Sequence, residues 1–156
     1  MYDLILDNVS KYVELNKQEL TQFTNLLQHR HITKGEFLLR RGEVARFETF
    51  VNDGVLKSSF IDKTAKEHTL HFAIEDWWIT DFESLITQSP AKLEIRAIED
   101  SQLLQLSYSS LQILFDQSPK FERFYRLMNE RYFISVFNTL ISLLSKRGRS
   151  PVPGFH

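Results

Sequence analysis

Cysteine is absent from the 156-residue chain. That removes disulfides, thiolate zinc sites and cysteine nucleophiles together. Long apolar runs are also missing: no eighteen-residue stretch is suited to crossing a membrane. The opening MYDLILDNVSKYVELNKQEL carries acidic and amide residues where a secretory signal needs a basic start and an unbroken apolar segment. A cytoplasmic protein without a membrane partner is therefore expected. Nor does positive charge accumulate, since 19 Lys and Arg stand against 20 Asp and Glu for a formal net charge of −1. Proteins that grip a phosphate backbone cluster their Lys and Arg, so DNA binding by this chain alone is not expected. No G-x-S-x-G elbow, P-loop or other paired catalytic signature is found.

With 42% hydrophobic and 25% charged residues, the chain has the composition of one globular domain with a true core. Its most ordered pattern is KGEFLLRRGEVARFETFVNDGVLKSSF, Lys34 to Phe60. Gly35, Gly42 and Gly54 punctuate short alternating runs there, and Asn52-Asp53-Gly54 has the chemistry of a tight hairpin turn. Strands are predicted over Glu36–Arg40, Glu48–Asn52, Val55–Asp62, Glu67–Ala73, Ala91–Ala97 and Gln102–Leu106. Two helices should precede them. Leu4, Ile5, Val9 and Val13 fall near helical spacing, and Asn16 with Glu19 forms a capping-box pair before Leu20, Phe23, Leu26 and Leu27. Ser107 can cap a short helix through Asp116, and Ser118-Pro119 then opens a long one.

Lys34-Gly35-Glu36, Arg41-Gly42-Glu43 and Phe50-Val51-x-x-Gly54-x-x-Lys57 resemble, in order and spacing, the opening of the cyclic-nucleotide-binding sensor domain of Crp-Fnr transcription regulators. The resemblance covers about residues 15–146. It implies an α+β fold: an antiparallel β jelly roll with N-terminal helices and a long C-terminal dimerisation helix. Residues 1–145 would form the sensor domain, with the dimerisation helix at about 119–145 and a flexible tail at 146–156. It also implies a non-catalytic ligand-sensing or regulatory role.

In nucleotide-binding members a short helix opens with Gly-Glu, and an Arg followed by Ser or Thr about ten residues later neutralises the cyclic phosphate. Anchored on Ile95-Arg96-Ala97, that comparison puts Thr80 and Asp81 at the Gly-Glu pair and Ala91 and Lys92 at the Arg-Ser pair. The ligand pocket it implies contains Thr80, Asp81, Phe82, Ser84, Ala91 and Lys92. Asp81 is left free to hydrogen-bond a hydroxyl, and Ser84 and Thr80 can instead cap the short helix Asp81–Thr87. Period-two alternation turns Ala91 inward, so no guanidinium faces the phosphate. Cyclic nucleotide is thereby disfavoured as a ligand, no cofactor is expected and the small-molecule effector is unknown.

Between Phe121 and Leu144, Tyr125, Met128, Tyr132, Val136, Leu140 and Leu143 line one helical stripe. Phe124, Leu127, Phe133, Phe137, Ile141 and Leu144 line a second. Two stripes make the apolar arc too wide for docking on one roll, so a homodimer through this helix is expected. After Ser145 only KRGRSPVPGFH remains, which is too short for the winged helix-turn-helix that follows in family regulators.

The rival reading is a cupin-like metal-dependent enzyme. His29 and His31, at i and i+2, project from one side of a strand, and Glu36, His68 and His71 are the other ligands it could recruit. Their spacing departs from the cupin pattern, and no metal site is expected. Trp77 and Trp78 read as half-buried anchors, with ligand stacking as their alternative role.

Overall fold

The computed structural model describes residues 1–147. Two helices, α1 (Asp3–Ser10) and α2 (Lys17–Leu26), lead into eight strands. The strands are β1 (Gln28–Ile32), β2 (Phe37–Leu39), β3 (Phe47–Asp53), β4 (Leu56–Ile61), β5 (Glu67–Ala73), β6 (Trp78–Ile79), β7 (Glu94–Ala97) and β8 (Ser101–Ser107). A short helix, α3 (Phe82–Thr87), lies between β6 and β7, and α4 (Tyr108–Gln117) and α5 (Pro119–Lys146) close the chain.

All strand pairing is antiparallel. One sheet has the order β1-β8-β3-β6 and the other β2-β7-β4-β5. The jelly roll expected from the sequence is present, with the long helix after it. Ile32, Phe50, Val51, Leu56, Ile95, Leu103, Leu104 and Leu106 are buried, on both faces of the strands that carry them. The gap left between the sheets near Leu39, Thr49 and Gln105 is about 30 Å³. That is room for a water molecule or so, not a purine ring.

Sequence and structure agree at several junctions for local reasons. Asn16 accepts from the Glu19 amide at 2.9 Å while Glu19 accepts from the Asn16 amide at 3.0 Å, a complete capping box at the start of α2. Ser107 accepts from the Ser110 amide and caps α4. Gly54 joins β3 to β4 at φ +114°, and a Cβ there would come within 2.6 Å of Ser101 Cβ. Ser118 departs from expectation. It precedes Pro119 as the N-cap residue of α5, but its hydroxyl donates to Glu19 Oε2 at 3.0 Å and so joins α5 to α2. Lys120 Nζ reaches Glu19 Oε1 at 3.0 Å beside it. These bonds hold the Glu19 carboxyl below the ordinary carboxylate range.

The N-terminal part of α5 packs against its own body. Phe121 lies 5.2 Å from Phe23, and Phe124 packs on Tyr12 and Trp78. From Arg131 to Arg147 every residue is exposed. Past Tyr132 the helix projects for about 20 Å beyond the roll. Lys146 belongs to this helix, and the rest of the expected tail beyond Arg147 lies outside the described residues.

Candidate functional site

The six residues expected to line a ligand pocket do not converge on one cavity. The stretch before α3 carries the central difference. Asp81 is the N-cap of α3 and is buried, with Oδ1 accepting from the Ser84 amide at 3.1 Å. Its Oδ2 accepts from the Lys92 amide at 2.9 Å and the Leu93 amide at 3.1 Å. Three backbone donors at the start of α3 and just before β7 thus close on one carboxylate of the same chain.

The neighbouring residues are equally engaged. Ser84 Oγ accepts from the Ala45 amide at 2.8 Å and donates to the Ser89 carbonyl at 2.6 Å. Ala91 is buried, and its backbone pairs with Gly42 and Glu43. The Lys92 side chain turns outward and pairs with Glu83 at 2.8 Å. The expectation that Asp81 is free for a ligand hydroxyl is corrected, because both its oxygens are satisfied internally. Ser84, Ala91 and Lys92 likewise face structural partners. Thr80 and Phe82 alone among the six line an open cavity.

That cavity is a cleft of about 330 Å³ between α1, the β5–β6 segment and α5. Trp77, Trp78 and Tyr132 provide its flat walls, with Glu48 and His71 as polar groups and Asn8, Lys11, Asp76 and Arg131 also lining it. The roll and α1 fix this wall through Asn8. Its Nδ2 donates to the Asp76 carbonyl at 2.9 Å, and its Oδ1 accepts from the Trp78 indole N–H at 2.8 Å. Lys11 Nζ pairs with Asp76 Oδ2 at 2.8 Å.

Glu48 is the unusual member. It projects from β3, is buried, and accepts from the Tyr125 hydroxyl at 2.7 Å. Burial pushes its carboxyl up to about 7, against the opposing pull of that hydrogen bond. Burial and the nearby Glu48 push the Tyr125 hydroxyl up as well. Across the cleft, His71 shares a 2.9 Å hydrogen bond through Nδ1 with Ser58 Oγ. Its Nε2 is buried with no partner among the described residues, and burial holds the imidazole below its ordinary value.

The residues expected to form a dimer seam differ in how far their own chain covers them. Tyr125 is buried against its own roll, Met128 packs on the core, and Tyr132 sits beside His71 with ring centroids 5.7 Å apart. Tyr125 and Met128 belong to the intrachain contact, and Tyr132, about half exposed, lies at its edge. Val136, Leu140 and Leu143 lie on the projecting part and are about half exposed. Sequence reasoning did not pick out Glu48 as a site residue. Its one signal was an acid two residues before Phe50, in phase with the buried face of a strand.

The histidines considered as metal ligands have separate partners. His29 meets the Tyr2 hydroxyl, His31 meets Gln102, His68 meets Asp62 and His71 meets Ser58. Among the described residues no three metal-ligating side chains are gathered. No helix of the described residues is long and apolar enough to cross a membrane.

Two four-stranded antiparallel sheets, a short helix between β6 and β7 and a long C-terminal helix make up a β-roll domain. The chain belongs to the cyclic nucleotide-binding domain family, which matches residues 29–118. No curated protein matches it in sequence. Among solved structures, a cyclic nucleotide-binding domain from Methylobacillus flagellatus is similar at TM-score 0.79 and 15% identity, over 90% of this chain and 83% of that one. The Thermus thermophilus catabolite activator protein is similar at TM-score 0.71 and 19% identity, over 84% of this chain. The match spans 61% of that protein's length. The sensor domain of the Pseudomonas aeruginosa transcriptional regulator DNR is similar at TM-score 0.67 and 14% identity, over 99% and 95% of the two chains. The family match and these structures agree on the cyclic nucleotide-binding β-roll fold.

Proposed function

We propose that this chain is a non-catalytic sensor whose effector enters the cleft between the roll and α5, and that it does not hold a cyclic nucleotide through the family's phosphate cassette. The observation that carries this reading is Asp81, whose carboxylate already receives the amides of Ser84, Lys92 and Leu93. A phosphate reaching those donors would have to displace a buried carboxylate, and neither Ala91, which is buried, nor Lys92, which turns to Glu83, offers it a side-chain cation.

The cleft has the size and mixed lining of a small-molecule site. It is walled on one side by α5, through Met128 and Tyr132. A ligand that favoured one position of α5 would shift a two-state equilibrium by its differential affinity for the two states. The projecting half of α5 would carry that shift to a second copy of the chain, as a homodimer, in the cytoplasm. DNA recognition, as in the relatives named transcriptional regulators, would require groups beyond those described.

Calorimetric titration with cyclic AMP and cyclic GMP tests the reading. No saturable heat is expected up to millimolar nucleotide. Micromolar saturable binding of either would overturn it.

A further inference from the structure

We infer that the cleft between the roll and α5 takes a small planar molecule that is neutral or cationic and offers N–H donors, and that it rejects anions; this rests on reading the cleft as the effector site. The walls supply the planar part. Trp77, Trp78 and Tyr132 present ring surface, and aromatic faces favour flat partners and cations. A volume of about 330 Å³ lies at the small end of ligand pockets, which suits one ring or a fused pair.

The polar groups decide the charge. Glu48 brings a carboxyl to the inner wall, where among the described residues it receives one hydrogen bond, from Tyr125. A carboxyl in an aromatic cleft is complementary to an N–H and hostile to a second anion. His71 Nε2, buried and unpartnered, offers a second hydrogen-bonding point on the facing strand. Of the two cations that line the cleft, only Lys11 has a carboxylate partner, so Arg131 opposes the anion exclusion set by Glu48 and Asp76. Lys11 pairs with Asp76 at 2.8 Å, and Arg131 lies over the Tyr12 ring at 5.6 Å.

Tyr125 of α5 bonds Glu48 from behind, and sharing the cleft with Glu48 are Tyr12 and Lys11 from the N-terminal segment, His71 from β5, Asp76 from the loop before β6, and Arg131 and Tyr132 from α5. With its carboxyl titrating at about 7, Glu48 is ionised at pH 8 and protonated at pH 6. A permanently cationic donor should bind roughly tenfold more tightly at the higher pH.

The chain's two tryptophans both line the cleft, so intrinsic fluorescence reports its occupancy directly. The test titrates the purified chain with benzamidine, adenine and benzoate, which are flat molecules that are cationic, neutral and anionic, at pH 6 and pH 8. Calorimetry runs in parallel. Saturable fluorescence changes are expected for benzamidine and adenine and none for benzoate, with benzamidine about tenfold tighter at pH 8. Glu48→Gln, checked by circular dichroism for retained fold, should lose at least tenfold of the benzamidine affinity and its pH dependence. Silence toward benzamidine at both pH values overturns the inference, as does an unchanged affinity in Glu48→Gln. Benzoate binding that moves the tryptophan signal overturns it too, but leaves the cleft as the effector site. Cyclic AMP binding that shifts the Lys92 and Leu93 amides without touching the tryptophans overturns the underlying reading instead.

Discussion

Two buried acids face opposite demands. Asp81 has its oxygens filled by the amides of Ser84, Lys92 and Leu93, whereas Glu48 is held largely by burial and one hydroxyl. The sign of the Glu48 effect follows from linkage. Its folded-state value of about 7 lies above the ordinary 4.5, so the folded protein binds the extra proton between them. Stability from this group is complete below about pH 4.5 and declines as pH rises toward 7. Glu19 acts in the other direction, because its carboxyl is held low and its contribution fades as acid protonates it. The comparison must therefore be between variant and parent. Urea melts should find Glu48→Gln more stable than the parent at pH 8, by on the order of 3 kcal/mol, and nearly equal at pH 4.5. A constant difference across that range would show that ionisation of Glu48 is not the cause.

These two residues also mark what the sequence could convey. The sequence offered Thr80 or Ser84 as the cap of α3, whereas Asp81 is the N-cap and the Thr80 hydroxyl donates to the Phe47 carbonyl. The amide partners of Asp81 at Lys92 and Leu93 are eleven and twelve residues off, across a turn that no local pattern registers. Glu48 was legible as facing the same side as Phe50. That Tyr125, far along the chain, would cover it was not, because the same spacing suited a dimer stripe.

At the level of elements, local chemistry carried further. The capping box at Asn16, the Asn-Asp-Gly turn and the period-two runs around Phe50 and Ile95 each correspond to an observed element, since each is fixed by neighbours in sequence. Gly54 is the sharpest case, because backbone and packing both require it. Its φ of +114° is closed to most side chains, and Ser101 occupies the space a Cβ would need. Ser101 Oγ also accepts the Val55 amide at 3.1 Å, so moving it would loosen the next strand. Gly54→Ala should lower unfolding stability by roughly 2–4 kcal/mol in denaturant melts. Gly35→Ala has open space around its Cβ despite its φ of +87°, and should cost about 1 kcal/mol from backbone strain alone. Equal losses at the two positions would contradict the role given to Ser101.

For the whole molecule the informative feature is the projecting half of α5. Phe133, Ile134, Val136, Phe137, Leu140, Ile141, Leu143 and Leu144 are each 41–67% exposed, an apolar surface larger than single scattered residues create. Its polar back carries Arg131, Ser135, Asn138, Thr139 and Ser142. A second copy aligned along the same helix would cover Val136, Leu140 and Leu143. Sedimentation equilibrium is expected to find a dimer. Leu140→Asp should weaken it a hundredfold or more, as a charge buried in an apolar seam must. A monomeric parent, or a dimer indifferent to that change, would place the contact elsewhere.

On the proposed reading, Asp81 closes the family's phosphate position and the effector enters the cleft beside α5. Amide chemical shifts measured during a cyclic AMP titration test it most directly. The account predicts that the Ser84, Lys92 and Leu93 resonances stay fixed to millimolar nucleotide. Saturable movement of those three amides at micromolar cyclic AMP would contradict it.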